Sequence, residues 1–165
     1  MIFLGIDNGT CSGAICAISG SLIIDKALLP VSIRKGKKEL DVNKLWDWIY
    51  HTVQPQNFDR MLITVEEPGG AKSYKAAVSM ASCFQSIRAM CELKDVRWQA
   101  VTPQSWQKPM LKAAKGDTKP AALKLAKSIW PDEIWTATPR SKIPHAGLVD
   151  SALIAEHSRR NTKEL

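Results

Sequence analysis

The chain is 165 residues long, enough for one domain with a hydrophobic core and short for a second. It is 45% apolar and 24% charged, as soluble globular proteins are, and no apolar run approaches the roughly 20 residues that span a bilayer. Its net charge of +7 suits a polyanionic partner, nucleic acid first among them. The leading residues MIFLGID are too short, and lack the basic lead-in, for a signal peptide. Cys11, Cys16, Cys83 and Cys91 form no Cys-x-x-Cys pair, so the expectation is free thiols in the reducing cytoplasm rather than a zinc site.

In chain order, residues 1–7 predict a strand, with Gly9 and Gly13 in the turn after it. Residues 13–19 and 21–29 predict two more strands, joined at Ser19-Gly20. The run RKGKK, 34–38, reads as a basic loop. Val42, Leu45, Trp46, Ile49 and Val53 recur at spacings of three and four, which predicts a helix over 41–53. After a connector at 57–60, MLITVE (61–66) is apolar enough for a strand buried on both faces. EPGGAKS breaks the pattern, and a helix is expected over 74–93 with a small, soft stripe of Ala77, Met80, Ala81, Phe84, Ile87 and Cys91. A strand at 96–101, a short helical turn at 103–106 and a lysine-rich loop at 108–118 follow. Thr118 is placed as the cap of a helix ending at Ile129, and 131–144 is irregular. A last helix covers 147–160. This order predicts a single α/β domain with a mixed central sheet and flanking helices.

Three acids stand where chemistry is expected. Asp7 ends the first strand beside Asn8-Gly9, where a glycine turn lets a ligand approach a rigid carboxylate. Glu66 and Glu67 end the second apolar strand, just before Pro68-Gly69-Gly70. Strand alternation sends these two to opposite faces, so one of them at most points where Asp7 points. Asp150 lies in the first turns of the last helix. Each also has an ordinary reading: a turn-bonded aspartate, a solvated strand end, a helix-start charge. Together in a basic protein they suit hard divalent cations, which want several carboxylate oxygens and relieve their repulsion. Two such ions can activate water and stabilise the leaving oxygen of a phosphodiester.

The basic residues Arg34, Lys35, Lys37 and Lys38, then Lys72 and Lys75, then Lys108, Lys112, Lys115 and Lys119, form three groups suited to phosphate contacts. Any one of them is equally well an ordinary solvated charge. Of Trp46 and Trp48, one at most is expected to face the core, while Trp98, Trp106, Trp130 and Trp135 read as packing residues.

The segments FLGIDNGTCSGAI, ITVEEPGG, VTPQSWQKPML, GDTKPAALKLAKSIWP and PHAGLVDSALIAEHSRR, in that order, resemble the RuvC-like Holliday junction resolvases, the tail most of all their phage and prophage members. The resemblance implies an RNase H-like fold with helices on both faces of the sheet and a homodimer. It also implies magnesium- or manganese-dependent cleavage of four-way DNA junctions with two ions per active site. Asp7 matches the first catalytic acid, Glu66 the second in preference to Glu67, and Asp150 the acid on the final helix. Lys119 matches a basic residue near the start of the preceding helix, and Lys108 lies within a residue of another. The helix over 74–93 corresponds to the one that dimerises in relatives.

One departure stands out. Relatives carry a further acid or histidine about one turn before the last aspartate, often in "HDG" where this chain has His145-Ala146-Gly147. Three explanations remain open: His145 reaches in as a ligand, three acids suffice, or Ala146 replaces an aspartate by natural loss or deliberate inactivation. The alternative function is therefore a catalytically impaired junction-binding protein of the same fold. A reading from another class, the phosphate turn of actin- and Hsp70-like ATPases suggested by GIDNGT, needs a second lobe that 165 residues do not supply.

Overall fold

The computed structural model describes residues 1–10, 12–70, 73–112 and 117–162. β1 (Ile2–Asp7), β2 (Ala14–Ser19) and β3 (Leu22–Leu28) are the three strands that the sequence predicts, and they pair as an antiparallel meander. The basic run expected as a loop is instead a hairpin of β4 (Val31–Arg34) and β5 (Lys37–Leu40), with Arg34 paired to Lys37. Lys35 and Gly36 both have positive φ, 49° and 73°, which is the two-residue turn that matches strand twist. The lysines obscured a turn signal that rests on backbone, not charge.

α1 (Val42–Val53) begins at Asp41, whose carboxylate accepts from the Lys44 amide, and buries Leu45, Ile49 and Val53. The expected connector is a 3-10 helix, Pro55–Arg60, leading into β6 (Met61–Glu66). α2 (Tyr74–Leu93) buries Cys83, Ile87, Met90 and Cys91, whereas Ala77 and Ala81 of the expected stripe are exposed. β7 (Trp98–Val101) is shorter than expected. α3 (Pro103–Leu111) runs well past the expected turn and carries Lys108 with it. Burial of Trp106 and Met110, one turn apart, offsets the roughly 3 kcal/mol that Pro109 costs inside a helix. α4 (Thr118–Ile129) is capped by Asp117, which accepts from the Lys119 amide; Thr118 is its first residue, not its cap. α5 (Ala146–Asn161) closes the fold.

The main sheet has the order β3-β2-β1-β6-β7, with β1, β6 and β7 mutually parallel. Alternation along β1 sends Leu4 and Ile6 to a core shared with α1 and α2, and Phe3 to a core shared with α3, α4 and α5. Helices thus cover both faces of a mixed sheet, as expected. Gly5 lies directly beneath α5: a Cβ there would stand 2.1 Å from the Ser151 carbonyl oxygen and 2.4 Å from the Ala155 nitrogen. The helix backbone therefore rests on the β1 backbone. Trp46 and Trp48 both pack, half-buried, against the rim of the α1/α2 core, where only one was expected. Trp106, Trp130 and Trp135 are buried, and Trp98 meets Phe84 edge-on.

Candidate active site

The parallel pairing of β1 with β6 sets the site. Gly5 pairs with Thr64 and Ile6 with Val65, so Asp7 and Glu66 come next at the carboxyl ends of neighbouring strands. Ligands of open α/β sheets collect at such ends. Met61, Ile63 and Val65 face α1 and α2, which sends Leu62, Thr64 and Glu66 to the α5 side with Phe3, Gly5 and Asp7. Parity therefore selects Glu66 over Glu67. Glu67 continues the ladder by donating its amide to the Val101 carbonyl at 2.8 Å.

α5 brings the third acid. The helix crosses β1 because Gly5 lets it, and its first turn reaches the turn that follows Asp7. A Cβ on Gly147 would lie 2.9 Å from Asp7 Oδ2 and 3.1 Å from His145 Cε1, but 2.0 Å from the Ser12 carbonyl oxygen. The position three residues before Asp150 thus points at the Asp7 carboxylate and is closed to any side chain. His145 lies beside this point as the N-cap of α5, its Nδ1 accepting from the Leu148 amide at 3.4 Å. A neutral ring that accepts at Nδ1 carries its proton on Nε2, so while the cap holds it has no lone pair for a metal. Burial also pushes the His145 pKa down, which keeps the ring neutral. Ala146, half-buried as the first residue of α5, already carries a Cβ.

The acids perturb one another strongly. Burial, then the negative charges of Glu66 and Asp150, raise the Asp7 pKa well above its ordinary value. Burial, then Glu66, raise Asp150 to about 7. Burial raises Glu66 as well, against hydrogen bonds from Trp106 and Asp7 that oppose the rise. Among the described residues no three His, Cys, Asp or Glu side chains gather tightly enough to enclose one ion. The three acids couple in pairs instead, Asp7 with Glu66, Asp7 with Asp150 and Glu66 with Asp150. Donors of this kind, all oxygen and short of neutralising charge, are those hard divalent cations take.

Two further residues complete the site. Lys119, near the start of α4, partly offsets the burial of Asp7 and Asp150 by its positive charge. Trp106, read from sequence only as packing, donates its indole Nε1–H to Glu66 Oε1 at 2.7 Å. The spacing in PQSW gave no signal of this contact, because it joins residues 40 apart in sequence.

The basic residues divide. Lys37, Lys38 and Lys75 line a groove of about 700 Å³ between the β4–β5 hairpin and α2, together with Tyr74 and Thr10. Thr10 exchanges a hydrogen bond with Ser79 of α2 at 2.9 Å. Lys108 and Lys112 are exposed on or just after α3. Arg34 lies at the hairpin within 3.9 Å of Glu39, and Lys35 occupies its turn. Lys72, Lys115 and Cys11 lie outside the described residues.

No protein-family model matches the sequence, and no curated protein matches it either. Solved structures do. T. thermophilus RuvC in complex with Holliday junction substrate aligns with a TM-score of 0.60 at 16% identity, over 95% of this chain and 92% of that one. A second Thermus thermophilus RuvC structure aligns with a TM-score of 0.56 at 16% identity, over 97% and 96%. The chain has the RuvC fold. Its acids stand at the carboxyl ends of two central strands and the start of the last helix of this RuvC-like sheet. Among the described residues no helix is long and apolar enough to cross a membrane.

Proposed function

We propose that this protein is a metal-dependent, structure-specific DNA endonuclease that resolves four-way or otherwise branched junctions by paired phosphodiester hydrolysis. The observation that carries the reading is the convergence of Asp7, Glu66 and Asp150 on one side of a sheet with the RuvC fold, in a chain of net charge +7. Asp7, Glu66 and Asp150 would hold two magnesium or manganese ions, with Glu67 outside the site and His145 retained as a helix cap. Bound there, such ions supply an activated water and charge stabilisation for the leaving oxygen. Trp106 fixes one oxygen of Glu66, and Lys119 adds positive charge beside the scissile phosphate. Lys37, Lys38 and Lys75 guide phosphates along the groove, with Lys108, Lys112 and Arg34 on the flanking surface. Recognition rests mainly on backbone geometry. The exposed Ala77 and Ala81 on α2 give a second copy of the chain a close-packing face, which supports a homodimer making paired nicks.

The test is cleavage of a synthetic four-way junction with magnesium or manganese, by this chain and by Asp7→Asn. Cleavage that the substitution abolishes supports the proposal. A specific observation favours the second reading, a junction-binding protein without catalysis: neither Ala146 nor Gly147 supplies an acid. Tight junction binding without cleavage under any divalent metal would select it.

A further inference from the structure

The turn that follows β1 presents an oxygen where this site lacks an acid. Gly13 donates its amide to the Gly9 carbonyl at 3.1 Å, and its own carbonyl accepts from the Leu29 amide at 2.9 Å. Ser12 is therefore held by the peptide that follows it. Its carbonyl oxygen enters the space that a side chain on Gly147 would fill, 2.0 Å from that Cβ position, while Asp7 Oδ2 approaches the same point to 2.9 Å. The two oxygens converge from separate elements, and no described residue donates a hydrogen bond to the carbonyl. Main-chain carbonyls are ordinary ligands of hard divalent cations, and one that is already fixed costs little to order.

We infer that the Ser12 carbonyl, admitted by the bare Cα of Gly147, is a divalent-cation ligand beside Asp7 and stands in for the acid missing one turn before Asp150. This deepens the proposed function and rests on its metal site. The substitution of a neutral oxygen for a carboxylate lowers the charge of the donor set by one. It also ties the metal to the β1–β2 turn rather than to the α5 side-chain row alone. Gly147 then acts as a positioning residue, since any side chain there displaces the carbonyl.

Labelling serine at its carbonyl carbon and glycine at nitrogen tests this directly. Serine precedes glycine only at Ser12-Gly13 and Ser19-Gly20, so a carbonyl–amide correlation spectrum of the whole chain contains two signals. Magnesium is the probe, and calorimetry on the same sample measures its binding independently. The expected result is a Ser12 carbonyl-carbon shift that saturates with the calorimetric isotherm while Ser19 stays still. Calorimetric binding with an unmoved Ser12 signal overturns the inference and leaves the metal site intact. No binding at all overturns both. Gly147→Ala, checked for folding by circular dichroism, is expected to lose roughly tenfold or more in manganese affinity, as when ligand geometry is disturbed elsewhere. A folded variant with unchanged affinity refutes the inference. If the variant does not fold, the magnesium spectrum of the unsubstituted chain decides.

Discussion

Trp106, buried on α3, donates its indole N–H to Glu66 at the end of β6, 2.7 Å away. The contact links a core residue to a carboxylate at the edge of the acid cluster. Partners of this kind orient ligands and are worth 10–100-fold in metal affinity or activity. Trp106→Phe keeps the apolar bulk and removes the donor. Junction cleavage is expected to fall by about that factor, with a stability loss of roughly 1–2 kcal/mol. Cleavage at the unsubstituted rate would mean that Glu66 is oriented by something else.

The acid cluster costs stability when no cation is bound. Asp150 has its pKa raised to about 7, so between pH 4 and 7 the folded state holds a proton that the unfolded state has released. Its contribution to stability is therefore lost as pH rises through that window and stays absent above it. Asp150→Asn removes the cost. In thermal melts at pH 8 without metal, the variant is expected to be more stable by about 1 kcal/mol, a common outcome at active sites. Magnesium is expected to stabilise the parent more than the variant. A variant that melts lower than the parent contradicts this.

Ala146 and Gly147 differ as places to add an acid. The carbonyl of Ser12 blocks a side chain at Gly147, whereas Ala146 already carries a Cβ and is half-buried. Ala146→Asp is expected to tighten magnesium binding and raise cleavage, because added carboxylate charge strengthens such sites. Gly147→Asp is expected to weaken both. Unchanged cleavage and affinity in Ala146→Asp would show that position 146 is not a lost ligand.

Glu156 behaves oppositely to the cluster. Although burial pushes its pKa up, hydrogen bonds from Arg159 and Arg160 outweigh that and hold it below the usual value. Its carboxylate is 2% exposed. A depressed folded pKa contributes stability above the unfolded value, and that stability is lost as pH falls through the folded value. Glu156→Gln is expected to lower stability at pH 7 by roughly 1–2 kcal/mol, with the difference from the parent shrinking toward pH 3. Urea titrations at the two pH values read this out, and an equal loss at both would refute it.

The groove lysines act through phosphates. Lys37→Ala, Lys38→Ala and Lys75→Ala are each expected to weaken junction binding and reduce the slope of log affinity against log salt by about 1. Binding measured from low to moderate salt checks this. A slope unchanged in all three would place the DNA elsewhere.

By itself the sequence determined the three leading strands with the turn at Ser19-Gly20, the apolar strand before Glu66 and the three acids at element ends, because local periodicity and turn residues encode them. It also limited the choice between Glu66 and Glu67 to one per face. It misread the β4–β5 hairpin, the length of α3 and the cap of α4. There the deciding factors were two positive φ angles, the burial of Met110, and the hydrogen bond that the Asp117 carboxylate accepts from the Lys119 amide. Only the tertiary structure decided which glutamate faces Asp7, since that depends on the register of β1 against β6. Only it showed that Trp106 holds Glu66, and that His145 caps a helix. It also showed that the gap before Asp150 is filled by a carbonyl from a turn more than 130 residues away. These are relations between distant segments, set by how closely Gly5 and Gly147 let a helix approach a strand and its turn.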